Sequence, residues 1–253
     1  MQSCIFTNDN NVCINLINHP FSVKFSKRDK HEVLFRKINT FLINNKIIKN
    51  NIIDLGAWIG DNSIPWSKNI EGTVYAIDPS LKNCNYILKT CNLNNINNIK
   101  VIKHAISNKI EILSTNGNIN HCSFVYNNPK NNGKTKIKAV SLDYLFEEKE
   151  IENIGYIHLD VEGMEYKILK GSSNIIDINR PIISFEQHLE IDDYNIILTY
   201  LNNKNYKTFL IDEILPGCRP DCRNSISFPN EVYNEDIIIN INNYIGRNIL
   251  ISK

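Results

Sequence analysis

Carboxylate and imidazole side chains follow directly after several short apolar runs of this chain. They are Asp54, Asp78, His104, Asp160, Glu162, Glu186 and His188. Such groups accept protons and bind cations or hydroxyl groups, so together they are suited to general base catalysis on a polar ligand. If the apolar runs are parallel strands, their carboxyl ends meet at one crevice. We therefore expect a ligand site that gathers these residues at one edge of a sheet.

The first of these apolar runs ends in a turn of small residues, DLGAWIG at 54–60. Gly56 can take a positive φ and lets a ligand approach the backbone, and Gly60 permits close contact between helix and strand. Asp78 ends the next run, where an acidic side chain binds the two hydroxyls of an adenosine ribose. The turn lacks glycines of a dinucleotide fingerprint, and Asp54 would repel a pyrophosphate. This pattern favours a ligand with an ammonium and a sulfonium, namely S-adenosylmethionine.

Strand and helix patterns alternate through the middle of the chain, which predicts a parallel sheet covered on both faces. The predicted strands contain NIIDLG, GTVYAIDP, NIKVIKHAIS, IGYIHLDVEG and RPIISFEQH. EILSTNG and CSFVYNN are interpreted as strand and loop, and YKTFLIDE…SISFPN as a closing strand pair. The last segment, DIIININNYIGRNILI, carries mixed strand and helix signals. The predicted fold class is α/β, with a doubly wound, mostly parallel sheet.

The first part of the chain is expected to precede the main domain as an extension. Residues 1–49 are predicted to form a hairpin and a helix, and residues 50–253 the principal domain, all within one compact unit. NVCINLI and FSVKF are interpreted as hairpin or edge strands. HEVLFRKINTFLI has helical spacing, with one apolar face formed by Val33, Leu34, Ile38, Phe41 and Leu42.

Composition argues against several classes of protein. Lys plus Arg number 28 and Asp plus Glu 27, so the chain lacks the basic surplus that is usual in nucleic-acid binders. No apolar run approaches the ~20 residues of a membrane span, and the polar start is unlike a signal peptide. Seven cysteines, an odd number, fit reduced thiols better than a disulfide framework. We expect a cytoplasmic protein that binds neither nucleic acid nor membrane. The excess of Asn and Ile is interpreted as codon bias of an AT-rich genome, such as that of a large DNA virus.

A set of motifs in the second half of the chain points to one family. They are Ser141-Leu142-Asp143, Asp160-Val161-Glu162-Gly163, Glu165, Leu169-Lys170-Gly171, Arg180-Pro181 and Glu186. With DLGAWIG, YAIDPS and HAISN before them, they resemble the FkbM family of S-adenosylmethionine-dependent methyltransferases over roughly residues 50 to 190. The chain departs from that pattern in three places. It has Trp58 where the family often has Asn, Asp78 where it often has Glu, and His158 where it often has Lys.

The resemblance implies a class I methyltransferase fold, Rossmann-like, with S-adenosyl-L-methionine as the methyl donor. The residues expected to contact this cofactor are Asp54, Gly56, Ala57, Trp58, Gly60, Asp78, Pro79, Ser80, His104, Ala105 and Asp160. The resemblance also implies O-methylation of a sugar hydroxyl, in a glycan or a nucleotide sugar. Substrate selection is expected to involve residues 1–30 and 195–253, which the resemblance does not cover.

Methyl transfer from a sulfonium is an in-line displacement in which alignment supplies roughly 7–11 kcal/mol of the barrier. A hydroxyl acceptor must also lose its proton, and a general base contributes ~10²–10⁴-fold. The candidate catalytic residues are Asp160, Glu162, Glu186 and His188. Glu162 has a second interpretation, as a cap of the following helix.

Metal binding is open but not favoured by the sequence. Asp160, Glu186 and His188 form an oxygen-rich set that suits Mg²⁺ or Mn²⁺ more than Zn²⁺, and their spacing does not require an ion. Cys218 and Cys222 have the spacing of half a zinc site, but no second pair of ligands stands near them in the sequence. We therefore predict no metal site.

Other functions fit the sequence less well. The acceptor is open between a sugar, another small molecule and a protein, and a homodimer is possible. A catalytically silent module that keeps the fold for partner binding is a second hypothesis. The chain lacks the glycines that a dinucleotide-binding oxidoreductase needs in this turn. RNA as the acceptor is disfavoured by the net charge of +1.

Overall fold

A computed structural model describes residues 3–6, 12–115, 135–189 and 194–253 of the chain. In chain order its strands are β1 (Ser3–Phe6), β2 (Cys13–Leu16), β3 (Asn51–Leu55), β4 (Val74–Ile77), β5 (Ile99–Ile102), β6 (Ala105–Ile106), β7 (Glu111–Thr115), β8 (Thr135–Val140), β9 (Ile154–Leu159), β10 (Ile182–His188), β11 (Tyr206–Ile211), β12 (Cys222–Pro229) and β13 (Leu250–Ser252). The α-helices are α1 (Pro20–Lys27), α2 (Val33–Asn44), α3 (Ser63–Ser67), α4 (Leu81–Leu93), α5 (Leu142–Glu147), α6 (Glu165–Lys170), α7 (Ser173–Asn179), α8 (Tyr194–Asn203) and α9 (Glu235–Ile245). A 3₁₀ turn, Arg28–Lys30, follows α1.

The main sheet has the strand order β13-β11-β12-β10-β9-β3-β4-β5. The five strands from β10 to β5 in this order run parallel, whereas β12 is antiparallel to both of its neighbours. The chain leaves β3 for β4 and β5, then returns on the other side of β3 as β9. The crevice beyond β3 and β9 is therefore the switch point, where ligands bind in such sheets. The predicted doubly wound, mostly parallel α/β fold is confirmed, as is the closing strand pair.

Continuous apolar runs form the central strands because both faces of the sheet are covered. Ile53 and Ile157 point to one side, where α5 to α8 pack on them. Ile52 and Tyr156 point to the other side, where the core includes Phe35 of α2 together with residues of β12 and α9. The two faces thus account for adjacent apolar residues in each strand.

The N-terminal segment is joined to the rest of the chain by packing and by hydrogen bonds. Strand β2 pairs with β1, and Asn15 exchanges two hydrogen bonds with the Asn94 side chain, at 2.7 and 2.9 Å. Phe35, Ile38 and Leu42 of α2 are fully buried in the core shared with β9 and β12. Helix α2 is therefore part of the core that supports the sheet.

The structure corrects the strand prediction for FSVKF, which lies in helix α1. Pro20 occupies the first turn of this helix, and the His19 ring nitrogen Nδ1 accepts a hydrogen bond from the Phe21 amide at 3.1 Å. Proline has a φ suited to the first helical position and needs no amide donor there. This start signal outweighs the short alternating pattern that suggested a strand.

Helix α4 buries a stripe that runs through Cys84, Ile87 and Cys91, so Leu81 and Leu88 are 57% and 45% exposed. The mixed C-terminal segment is a helix, α9, that ends before Gly246 at φ 87°, followed by the short strand β13. The segment CSFVYNN lies outside the described residues.

The cysteines do not all follow the expectation of reduced thiols. Cys13 is disulfide-bonded, whereas Cys84, Cys91, Cys218 and Cys222 are free.

Within the described ranges, none of the helices combines the length and the apolar character that crossing a membrane requires.

Candidate active site

A cavity of about 440 Å³ opens beyond the carboxyl ends of β3, β4 and β9. The predicted site residues that line it are Asp54, Gly56, Ala57, Trp58, Asp78, Pro79, His104, Ala105, Asp160, Glu162 and Glu186. Gly60, Ser80 and His188 do not line it. The switch point of the sheet therefore brings most of the predicted residues together, although they are spread over more than 130 positions.

Gly56 allows the end of β3 to pass against the end of β9. It has φ 76°, and a Cβ at this position would lie 1.9 Å from the carbonyl oxygen of Asp160. The Asp160 amide in turn donates to the Leu55 carbonyl at 3.1 Å. A larger residue cannot occupy this turn without separating the two strand ends that form the cavity floor.

Asp54 is a buried carboxylate held from two sides. Its Oδ2 accepts a hydrogen bond from the Ser63 hydroxyl, and its Oδ1 lies 2.8 Å from Nδ1 of His158, its register partner on β9. The His158 ring packs against Phe35 and Trp66, with centroid distances of 5.1 and 5.4 Å. The carboxylate is thereby fixed in orientation before any ligand binds.

Asp78 is fixed by three donors at the end of β4. Its Oδ1 accepts from the Ser80 amide at 2.7 Å and from Nδ2 of Asn83 at 3.1 Å, and its Oδ2 accepts from the Trp58 amide at 3.0 Å. Burial raises the pKa of Asp78 to about 6, against the opposing effect of these hydrogen bonds. The Ser80 hydroxyl caps α4 instead of facing the cavity.

Three carboxylates, those of Asp160, Glu162 and Glu186, line the cavity beyond β9 and β10. Burial, and then the negative charge of Glu186, raise the pKa of Asp160 well above its usual range, while Arg28 opposes this. Burial also raises the pKa of Glu186, with a further contribution from the charge of Glu32. The site therefore stabilises protonated carboxyl groups or a bound cation.

Comparison with known proteins identifies the family. The family model described as the methyltransferase FkbM domain matches residues 54–208. The chain belongs to the FkbM methyltransferase family. The resemblance predicted from the motifs is thus confirmed over more than half of the chain. No curated protein matches the chain by sequence.

One solved structure supports the fold, and two others are similar to a lesser degree. Methyltransferase FkbM from Methylobacillus flagellatus KT matches 71% of this chain at 16% identity and a TM-score of 0.51. Trm5b from Pyrococcus abyssi matches 90% at 14% identity and 0.48, and a SAM-dependent methyltransferase from Aquifex aeolicus matches 84% at 14% identity and 0.44. The matches cover 43%, 55% and 98% of those chains, so this chain spans about half the length of the first two. At such identities the likeness concerns the fold alone, which for the first of these is the class I methyltransferase fold.

The backbone at Trp58 accounts for the Asn that the FkbM pattern often has at this position. Trp58 has φ 43°, in the left-handed region that Asn adopts far more readily than a bulky residue does. Its amide is fixed by Asp78, and its ring lies 5.4 Å from Nζ of Lys24 and 5.9 Å from the guanidinium carbon of Arg28. The side chain therefore forms part of a cationic and aromatic wall.

The turn after β9 is held by Glu165. Glu162 and Gly163 have φ 54° and 90°, and the Glu165 carboxylate accepts from the amides of Val161 and Gly163 at 3.2 and 3.3 Å. The alternative prediction of Glu162 as the cap of the next helix is not supported, because Met164 is the N-cap of α6 and no side chain caps that helix start. Glu162 lines the cavity instead.

The sequence analysis did not predict one wall of the cavity. This wall consists of Lys24, Arg28 and His31 from the N-terminal segment, together with Asp61. The Arg28 guanidinium bonds to Asp61 and Glu32, and its Nη1 lies 2.8 Å from Nδ1 of His31. No sequence signal marks Lys24 and Arg28 among the 28 Lys and Arg residues of the chain, because their place beside the cavity depends on the tertiary structure.

The three predicted residues outside the cavity have other surroundings. A Cβ on Gly60 would meet Ile64 and Ile87 at 3.0 and 3.1 Å, so Gly60 serves helix packing, as its spacing suggested. Ser80 caps α4. His188 lies near the end of β10, opposite Cys222 of β12.

Proposed function

We propose that this member of the FkbM family transfers the methyl group of S-adenosylmethionine to a sugar hydroxyl, in a glycan or a nucleotide sugar. One observation carries the proposal: the switch-point cavity joins a glycine turn at Gly56, the orientated carboxylate of Asp78, and the three carboxylates of Asp160, Glu162 and Glu186. S-adenosylmethionine, when bound, supplies a methyl group activated by its sulfonium.

The residues present fit this cofactor. The Asp78 carboxylate is placed to accept hydrogen bonds from the ribose hydroxyls, since its orientation is fixed by three donors. Asp54 and Asp160 place negative charge beside the Gly56 turn, which suits the ammonium and sulfonium of the cofactor. A side chain at Gly56 would meet the Asp160 carbonyl and would displace the strand ends that line the cavity.

Asp160 is the proposed general base. It follows β9 directly and lines the cavity with Glu162 and Glu186. The ionised Asp160 carboxylate would accept the proton of the acceptor hydroxyl, and the methyl donor, when bound, would supply the methyl group. Burial raises the pKa of Asp160, so its ionised form is a stronger proton acceptor. Positioning of both reactants by the rigid strand ends supplies the alignment on which the rate depends.

The opposite wall favours a sugar acceptor over an apolar one. The Trp58 ring offers a flat surface, and Lys24 offers positive charge for the phosphates of a nucleotide sugar, whereas the Arg28 guanidinium is paired with Asp61 and Glu32. Arg219 and Arg223 do not line the cavity. Arg219 instead pairs with Asp221, and Arg223 donates to the carbonyls of Pro220 and Cys222.

The test is incubation with a labelled methyl donor and a panel of nucleotide sugars and oligosaccharides, read by mass spectrometry. We expect one methyl group on a sugar hydroxyl. The variant Asp160→Asn should reduce kcat ~10²–10⁴-fold, as expected for loss of a general base. Glu71→Gln, at a solvent-exposed carboxylate remote from the cavity, is the matched control and should keep the full rate.

Two outcomes would contradict the proposal. A near-normal rate in Asp160→Asn would remove that residue from proton transfer. Methylation restricted to non-sugar compounds would refute the acceptor class. Thermal stabilisation by S-adenosylhomocysteine separates an enzyme from a silent module: at 100 times its Kd, about 2.7 kcal/mol is expected, and no stabilisation favours the module.

A further inference from the structure

A cluster of metal-ligating side chains lies beside the cavity, where β10 meets β12. We propose that Glu186, His188 and Cys222 bind one zinc ion, with Cys218 as the fourth ligand. The proposal goes beyond methyl transfer and does not depend on it. It makes Glu186 a metal ligand and leaves Asp160 as the carboxylate that receives the acceptor proton.

The distances among the three central side chains suit a single ion. One ligand atom from each of Glu186, His188 and Cys222 lies within 4.8 Å of the other two. Ligands of tetrahedral zinc, bonded at ~2.0–2.3 Å, stand roughly 3.3–3.8 Å apart. The Cys222 sulfur already lies 2.6 Å from Oε1 of Glu186, so small side-chain rotations are sufficient.

The sheet holds these three residues on one face. Glu186 and His188 are two positions apart on β10, which puts both side chains on the same side of the strand. Cys222 pairs directly with His188 in the antiparallel register of β10 and β12. Directly opposed residues in antiparallel strands share a face, so the site is formed on regular backbone.

Cys218 completes the set from the loop before β12. Its side chain hydrogen-bonds with that of Cys222, and its sulfur lies 3.5 Å from Nε2 of His31. His31 is thus placed to orient the sulfur by a hydrogen bond, as outer partners of zinc ligands commonly do. The loop is unconstrained at Gly217, where a Cβ would meet no atom within 4 Å.

The chemistry of the donors selects zinc over the ions that prefer oxygen. Two sulfurs, one imidazole and one carboxylate form a soft set of four ligands, which suits zinc. Mg²⁺ and Mn²⁺ instead favour carboxylates, carbonyls and water. A zinc ion at this place ties the loop before β12 to the sheet. Since Glu186 and Cys218 also line the cavity, the ion fixes part of the cavity wall.

The test measures zinc on the full chain in the absence of any methyl donor. After chelator treatment and reloading with zinc, gel-filtered protein should hold one zinc per chain by elemental analysis. Replacement by Co²⁺ should give the visible bands of a tetrahedral site and a thiolate-to-cobalt charge-transfer band. Cys222→Ser and His188→Ala should lose stoichiometric zinc, whereas Cys91→Ser, at a free cysteine in helix α4, should keep it.

Cys218→Ser is the second variant, since its exposed loop position does not challenge the fold. It should weaken zinc binding at least 10-fold and reduce the charge-transfer band. Circular dichroism confirms that each variant is folded. Zinc absent from the reloaded wild type, zinc retained by folded Cys222→Ser, or Co²⁺ spectra without thiolate bands would overturn the proposal. The zinc measurement uses no methyl donor, so its outcome is distinguishable from that of the methyl-transfer assay.

Discussion

At the scale of single residues, the cavity is defined by side chains whose orientations are fixed before a ligand arrives. Asp54 and Asp78 each receive hydrogen bonds on both carboxylate oxygens from the surrounding protein. Gly56 contributes by having no side chain, because the backbones of two strand ends meet at this position. Such fixed geometry lowers the reorganisation needed for binding and catalysis, so single substitutions here have large expected effects.

Protonation of Asp78 should control cofactor affinity. Its pKa is raised to about 6 by burial, so the carboxyl is ionised at pH 7.5 and neutral at pH 5. Ribose hydroxyls bond better to the ionised form, so the Kd for S-adenosylhomocysteine should rise as pH falls through 6 and stay level above 7. Calorimetric titration across this range measures it. Asp78→Asn should bind weakly and lose that component of the pH dependence; an unchanged pH profile would show that Asp78 does not hold the ribose.

The variant Gly56→Ala should lose both stability and cofactor binding. Its Cβ would collide with the backbone of Asp160, and its positive φ adds about 1–2 kcal/mol. The free energy of unfolding from urea denaturation should fall by more than about 2 kcal/mol. The matched control is Gly246→Ala, with φ 87° and open space around it, which should show only the backbone cost. Equal losses in the two variants would mean that the close approach at Gly56 is unimportant.

At the scale of elements, a side chain that is distant in sequence caps the start of helix α2. The start of α2 has no side-chain cap from its own neighbours. Instead, the Glu213 carboxylate, from the segment after β11, accepts from the amides of Leu34 and Phe35 at 2.9 and 3.0 Å. A carboxylate at this end also interacts favourably with the helix dipole. The C-terminal part of the chain thereby positions the N-terminal wall of the cavity.

Removal of this cap should loosen α2. Glu213→Ala leaves two buried amides without an acceptor, so we expect a loss of about 1–2 kcal/mol in unfolding free energy. Hydrogen exchange in the first turn of α2 should accelerate, and Glu213→Gln should recover part of the protection. Asn234→Ala, which removes the local cap of α9, is the control and should affect exchange only there. Unchanged exchange at α2 in Glu213→Ala would disprove the capping role.

At the scale of the whole molecule, the division into an extension, residues 1–49, and a main domain, residues 50–253, stays a prediction. Phe35, Ile38 and Leu42 lie in a core formed with β9, β12 and α9. Each such buried side chain contributes about 1.5–3 kcal/mol, so three of them approach the 5–15 kcal/mol that stabilises a typical protein. The helix before residue 50 is therefore as important to stability as elements within the matched family region.

A chain that begins at residue 50 should consequently fail to unfold cooperatively. Thermal unfolding followed by circular dichroism, together with urea denaturation, measures this. A chain that begins at residue 12 keeps α2 and is the control, which should retain a cooperative transition. A cooperative transition in the shorter chain would show that residues 50–253 form an independent domain.

The sequence by itself determined the fold class and the cofactor side of the candidate site. Strand patterns are local, and Asp54 and Gly56 lie at the end of β3, so their positions at the sheet edge could be inferred from one segment. Asp78 and Asp160 could be added because parallel strands end at a common edge. The FkbM motifs indicated the family because each is a short local stretch of residues.

Only the tertiary structure decided which distant residues face that edge. His31 and Cys218 are 187 positions apart, and Glu186 and Cys222 are 36 apart, yet each pair is in contact. Their approach depends on the strand order and on the register of β10 with β12. Periodicity and local motifs do not specify such long-range pairing. The place of Arg28 beside the cavity and the approach of Cys222 to Glu186 were therefore visible only once the chain was folded.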